Sequence, residues 1–362
     1  MNSVRGIKIK LPRNYDENSI LKYPVIVVFD GDYLFGPVVG QTDFQTYFDE
    51  MPGSIIVGII QGNERFYDSY YDEVSGLPLE TGARFYEFVA QELLPYIDNN
   101  YNTSKFKVAV GHNIMGNFIN AFLMKDEPLF QAYINLSPDL SGEMGINIAE
   151  RLAWTKQDLF YYMATSKGDI ENIRKNILET HVEIANIDNE HLTYYFDDFT
   201  DGSHYTLVTG ALTKAFDKIF ELYKPLSEKE LTEKVAKYDG TLDEYLVKRY
   251  KRIYDLFGIE KPITEEELLK VIAVAEERND LESLQQLGKL ALKQDENSAF
   301  GTYYLALHAE RLGKSKKAVK LYKTSLEQNP TSHLDRDFIL SKLEELEVVT
   351  QDTEAEDEDI EN

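Results

Sequence analysis

Two hydrophobic patterns divide the chain, and the change falls near residue 224. In the first part, short continuous apolar runs alternate with segments in which apolar residues recur every three or four positions. Ile7-Lys8-Ile9-Lys10-Leu11 alternates strictly and reads as a short strand ended by Pro12. Tyr23–Phe29 and Ser54–Ile60 are unbroken and β-branched, which predicts strands buried on both faces. Apolar residues at 85, 88, 89, 93, 94 and 97 predict a helix, with Thr81 as its N-cap. Further strands are expected at 131–137, stopped by Pro138, and at 159–164 and 192–196. Loops 165–169 and 197–204 should follow the last two, and a helix should run from 169 to about 187. Strands alternating with amphipathic helices predict an α/β fold, a mostly parallel sheet with helices on both faces.

From Tyr223-Lys224-Pro225 onward the strand-like runs stop, and Glu, Lys and Leu at helical spacing take over. Leu305-Ala-Leu-His-Ala-Glu-Arg-Leu-Gly313, followed by Ala318, Tyr322, Leu326 and Asn329-Pro330, looks like one tetratricopeptide hairpin. A weaker match over 264–293 predicts a hairpin before it. With one or two such units visible, packing is expected of them and a peptide groove is not. Residues 350–362 carry seven acidic side chains in 13 and no basic one, the composition of a disordered, solvated tail. The expected organisation is an α/β domain over 1–223, a C-terminal all-helical domain over 224–348 and an acidic tail over 349–362.

Composition narrows the function. A net charge of −25 over 362 residues argues against nucleic-acid backbones and anionic membrane surfaces as partners. With no cysteine, thiolate catalysis, disulfides and thiolate metal sites are excluded. His181, His191, His308 and His333 sit in no pattern of metal-ligand spacing, so neither a metal nor another cofactor is expected. No apolar run is long enough to predict a membrane-spanning helix. Met1–Gly6 leads directly into the first strand without a signal-peptide pattern. The expectation is a cytoplasmic protein if Met1 is the native start, and an exported or periplasmic one if a leader was removed.

The chemistry is concentrated at Val108-Ala-Val-Gly-His-Asn-Ile-Met-Gly-Asn-Phe118. An apolar strand end, a glycine turn and a helical pattern beginning at Ile114 make the geometry of a nucleophile elbow, which lifts one side chain above the sheet. The side chain placed there is Asn113. Two further stretches fall at strand ends, where open α/β sheets place their ligand crevice: Asp30-Gly31-Asp32, and the polar, aromatic loop Gln61–Tyr71. On that loop Asn63, Arg65 and Asp68 are candidates for holding an anionic or sugar-like ligand, with an ordinary solvated loop as the alternative.

Tyr23–Gly31, the elbow Gly111-His112-Asn113, Pro128–Pro138 and Asp201-Gly-Ser-His204 together resemble the esterase branch of the α/β-hydrolase superfamily that includes enterobactin esterases and S-formylglutathione hydrolases. The resemblance covers roughly residues 3 to 223. It implies a Gly-His-Ser-x-Gly-Gly elbow, so Asn113 stands where the serine nucleophile would be and Met115 replaces the first closing glycine, while Gly116 keeps the second. It further implies His204 as the histidine and Asp169 as the acid, with Glu171 as the nearby alternative. The oxyanion-binding N–H groups would come from Ile114 and from the turn at Gly31 and Asp32. His112 would be a packed neighbour or a binding residue.

An asparagine carboxamide is no nucleophile, because its nitrogen lone pair is delocalised and a histidine cannot deprotonate it at neutral pH. Met115 is a second objection, since the glycine it replaces lets helix and strand approach closely. Ser137 and Ser203 are the hydroxyls that could stand in, and water activated by His204 and Asp169 is another route. Two functions are therefore expected: a non-catalytic member that binds an ester-like small molecule or, through its helical domain, a protein; or an active carboxylic-ester hydrolase with an atypical centre.

Overall fold

The computed structural model describes residues 4–361, with side chains to residue 348. By internal contacts the chain divides into two compact units: residues through Lys224 together with Ile253–Glu260, and Pro225–Arg252 together with the residues from Lys261 onward.

The first unit is built on seven strands: β1 (Gly6–Lys10), β2 (Tyr23–Val28), β3 (Ile55–Ile60), β4 (Thr103–His112), β5 (Ala132–Leu136), β6 (Leu159–Gly168) and β7 (Leu192–Ser203). They lie in the order β1-β3-β2-β4-β5-β6-β7, with β1 antiparallel at the edge and every other pairing parallel. β6 and β7 run past their expected ends, because Thr165, Ser166, Asp197 and Asp198 continue the ladder between them. Polar residues at those positions hid the extension: at the end of a strand the ladder is set by backbone pairing, not by the side chains.

Alternation within β2 shows why the central runs are apolar throughout. Val25, Val27 and Phe29 face one core, whereas Ile26 and Val28 face the other. α1 (Phe35–Tyr47) lies on the second face. The helical run Thr81–Glu87, Phe88–Leu93 and Leu94–Asn100 (α2), α3 (Ile114–Ile119), α4 (Met144–Trp154) and α5 (Glu171–Ala185) cover the first. α6 (Leu207–Ile219) joins α1 on the second face, with Ile253, Leu256 and Phe257 from the end of α7 (Leu242–Phe257). Thr81 is the first helical residue and not the cap, and its hydroxyl donates to the Tyr67 carbonyl at 2.6 Å.

The second unit is helical: α8 (Glu265–Glu277), α9 (Leu281–Gln294), α10 (Ala299–Arg311), α11 (Ser315–Glu327) and α12 (Arg336–Glu361). Successive helices pack on one another around a core that includes Leu287, Phe300, Ala306, Ala318 and Tyr322. A Cβ on Gly301 would lie 2.7 Å from the Leu292 nitrogen, so α9 and α10 meet at backbone distance. The backbone of the acidic segment, where a disordered tail was expected, continues α12 through Glu361, and its side chains lie outside the described residues. Among the described residues no helix is long and apolar enough to cross a membrane.

Candidate active site

β4 ends at His112 and α3 begins at Ile114, leaving Asn113 between them at φ 56° and ψ −122°. Such a backbone conformation costs about 1–3 kcal/mol and persists only where its surroundings hold it. Two bonds do so: Asn113 N–H donates to the Leu136 carbonyl at 3.1 Å, and Asp139 N–H donates to the Asn113 carbonyl at 3.0 Å. The tight turn depends on glycine, because a Cβ on Gly111 would lie 2.4 Å from the Met115 carbonyl oxygen and one on Gly116 would lie 2.9 Å from Pro138 Cβ. Those two glycines bring helix and strand together. Met115 therefore does not hold them apart as its position suggested; its side chain is fully buried in the core. The Asn113 carboxamide is partly exposed and makes no hydrogen bond among the described residues.

Asp169 follows β6 and His204 follows β7, two strands paired over most of their length, so the two residues emerge side by side. His204 Nδ1 lies 2.7 Å from Asp169 Oδ1. A carboxylate accepts only, so Nδ1 carries the proton and Nε2 keeps its lone pair. Nε2 makes no hydrogen bond among the described residues. Burial alone would raise the Asp169 pKa, but bonds from His204, Ser137, Thr165 and the Ile170 N–H outweigh it and hold the carboxyl at about 2. Glu171, the alternative acid, is exposed in the first turn of α5.

Neither substitute hydroxyl is placed to attack. Ser137, fully buried at φ 43°, donates to Asp169 Oδ2 at 2.7 Å and sits 2.8 Å from His204 Nδ1. It is on the protonated side of the imidazole, where no base can take its proton. Ser203 is exposed, its hydroxyl 3.2 Å from that of Thr206. The signal for the role of Ser137 was its place at a strand end beside Pro138; nothing local foretold which ring nitrogen it would meet.

At the oxyanion side, Ile114 occupies the first helical position, where an N–H has no intrahelical partner. Gly31 must be corrected as a donor, because its N–H already donates to the Ile59 carbonyl at 2.9 Å. That leaves the Asp32 N–H, which has no partner among the described residues, while the Asp32 carboxylate accepts from Gln61 and Gly62 N–H at 2.9 and 3.1 Å.

Two of the candidate binding residues are spent inside the protein. Arg65 forks onto Asp30 at 2.5 and 2.9 Å and reaches the His112 carbonyl at 3.4 Å. Asp68 is 1% exposed and pairs with Arg5 and with Gln61 Nε2; burial pushes its pKa up to about 6. Neither faces a ligand: Asp30 and Arg5 lie 35 and 63 residues away along the chain, so the pairings were hidden from a local reading. Asn63 remains exposed on its turn. His112 is buried and uses both ring nitrogens. Nε2 donates to the His204 carbonyl at 3.1 Å, and Nδ1 lies 3.0 Å from the Tyr33 hydroxyl, itself 2.8 Å from Asp30 Oδ2. Burial and then the neighbouring His204 lower its pKa to about 4. His112 thus holds the loop that carries His204.

Residues 1–160 match the sequence family described as "Putative esterase". Among curated proteins, none matches the sequence. A solved structure of an uncharacterised protein from Capnocytophaga ochracea is similar over 96% of both chains, with 28% identity and a TM-score of 0.86. An IroE-like serine hydrolase from Shewanella oneidensis is similar over 79% of this chain and 94% of its own, at 20% identity and a TM-score of 0.60. The BES protein from Bacillus cereus covers 59% of this chain and 88% of its own, at 24% identity and 0.52. Its elbow and sheet order give the α/β unit an α/β-hydrolase-like fold, and over residues 1–160 its sequence matches the putative-esterase family.

Proposed function

We propose that this chain is a non-catalytic member of its family that binds a small ester-like ligand above Asn113. One observation carries the reading: the elbow conformation is kept at 113 while the side chain it presents is a carboxamide. With Ser137 on the protonated side of the imidazole and Ser203 exposed beside Thr206, neither candidate hydroxyl supplies the missing oxygen. The acyl-enzyme route therefore has no attacking atom. The helical unit is proposed to be tetratricopeptide-like. The Ala299–Arg311 and Ser315–Glu327 hairpin closes on Gly313 at φ 70° and buries Ala318 and Tyr322, which supports a packing role.

A second reading rests on the free Nε2 of His204. A base oriented by Asp169 could activate water for direct attack on an ester, without a covalent intermediate. Treatment with a fluorophosphonate probe and a short-chain 4-nitrophenyl ester separates the two. The non-catalytic reading expects neither labelling nor turnover above that of the His204→Ala variant. Turnover that disappears in His204→Ala, without labelling, establishes the water route. Labelling of any residue that is lost in His204→Ala overturns both.

A further inference from the structure

A cavity of about 610 Å³ opens beside the elbow, walled by the segment after β5 and by α4 and α5. Its rim joins the candidate site directly, since Asp139 lines it and donates its N–H to the Asn113 carbonyl. Four carboxylates face it, Asp139, Glu150, Glu179 and Glu183, and no Lys or Arg lines it. Of the four, Glu179 has a basic partner, Lys175 at 3.8 Å on the exposed helix surface. Glu150, Glu179 and Glu183 are exposed and Asp139 is half-buried, so the mouth of the cavity is negative and favours a cation there.

Neutral groups in the wall point the same way. Thr180 is 6% exposed, lines the cavity, and its hydroxyl makes no hydrogen bond among the described residues. That hydroxyl faces the space left by Gly145, where a Cβ would lie 2.3 Å from Thr180 Oγ1, so a side chain at 145 would close it off. The Ser141 hydroxyl oxygen is also buried without a partner in the same wall. The Thr180 hydroxyl therefore opens onto the cavity with its hydrogen-bonding capacity unused by the protein, ready to accept from a ligand there. Burial raises the Asp139 pKa, opposed by the nearby His204, so a cation beside Asp139 would also relieve its desolvation.

We propose that this cavity binds a linear aliphatic di- or polyamine cation, its ammonium groups held by Glu150, Glu179, Glu183 and Asp139 and by the Thr180 and Ser141 hydroxyls. Several carboxylates call for an occupant with more than one positive charge, and Leu140, Ile146 and Ala149 in the same wall suit the methylene chain between its ammonium groups. This cavity is separate from the region above Asn113, meeting it only at Asp139, and goes beyond the ester-like ligand proposed there.

Calorimetric titration of the full chain with putrescine, spermidine and 1,4-butanediol, the neutral analogue of putrescine, tests it. One saturable site for each amine and none for the diol is expected, with spermidine the tighter. Glu150→Gln/Glu183→Gln should weaken spermidine roughly fivefold or more, from two partly exposed charges, whereas Glu17→Gln/Glu327→Gln, which removes equal charge elsewhere, should change it little. Equal losses in both double variants, equal binding of the diol, or no saturable amine binding would each overturn the assignment. Binding is read without turnover, so its failure is distinct from that of the non-catalytic reading: ester hydrolysis that depends on His204 would end that reading and leave the amine site standing.

Discussion

On the proposed reading, in which the site is a triad without its nucleophile, Asn113→Ser supplies the missing atom, and the geometry indicates how much activity should follow. The backbone at 113 already stands at φ 56° and ψ −122°, so the serine inherits the elbow and the variant pays no fresh strain. Nε2 of His204 has its lone pair free, with Nδ1 fixed by an Asp169 held at about 2. The N–H groups of Ile114 and Asp32 have no competing acceptor. Removing a nucleophile from a working triad costs up to about 10⁶-fold in kcat, which sets the ceiling on what a serine can restore. A nitrophenyl ester is a generic probe that brings no dedicated binding contacts, so much of that will be lost to poor positioning. A gain in kcat/KM of at least about 10²-fold over the unsubstituted chain is expected, equivalent to about 2.7 kcal/mol of transition-state stabilisation. Hydrolysis of 4-nitrophenyl acetate and butyrate measures it, with fluorophosphonate labelling and peptide mass mapping to show that the adduct is on residue 113. Adding His204→Ala should abolish both signals. If Asn113→Ser folds normally and neither labels nor turns over ester, then the serine and Nε2 are not in register and the site is not a triad lacking one member.

Gly111→Ala should lower stability by about 1–3 kcal/mol or prevent folding, because its Cβ would meet the Met115 carbonyl at 2.4 Å and a backbone oxygen cannot swing aside; urea denaturation reads it. Arg65→Ala should cost about 3 kcal/mol by leaving the buried Asp30 carboxylate without its fork, and Arg65→Lys should recover only part, since an ammonium cannot make both bonds. For His112 the folded pKa of about 4 lies below the ordinary value, so the unfolded chain takes up the proton first as pH falls. Its contribution is present above pH 6.5 and is lost as pH falls through 4, up to about 3 kcal/mol. Thermal melts of the protein and of His112→Gln across that window should converge toward low pH.

Much of the sheet could be read from the chain because its central strands are buried on both faces, which leaves runs such as Tyr23–Phe29 with no polar interruption. The elbow was legible for a related reason: a glycine between a strand end and a helix start has few other uses. What escaped was decided at long range. β6 and β7 extend each other through polar positions that carry no apolar pattern. Arg65 and Asp68 sit in a loop rich in polar and aromatic residues and look available, but each meets an opposite charge from the far end of a strand. The objection raised by Met115 failed because the close approach is made by Gly111 and Gly116, whose partners are a carbonyl and a proline across the turn. Nor does a sequence state that Ser137 will meet Nδ1 and not Nε2, although that difference decides whether it can attack.

The polar groups at the C-terminal edge of the sheet form one connected chain. It runs from Arg65 through Asp30 and Tyr33 to His112, from there to the His204 carbonyl, and from the His204 ring to Asp169, Ser137 and Thr165. Removing an inner member strands a buried partner, and the cost of that is several kcal/mol whether or not any reaction occurs. The presence of an assembled His204–Asp169 pair is therefore accounted for by folding, and it is weak evidence for turnover. Asn113 differs from its neighbours in this respect. It enters through its backbone alone, and its side chain is tied to nothing. A change at 113 leaves every bond of the network in place, so it is the position at which catalysis can be surrendered without loss of structure. The same independence makes it the position at which catalysis can be returned by a single substitution.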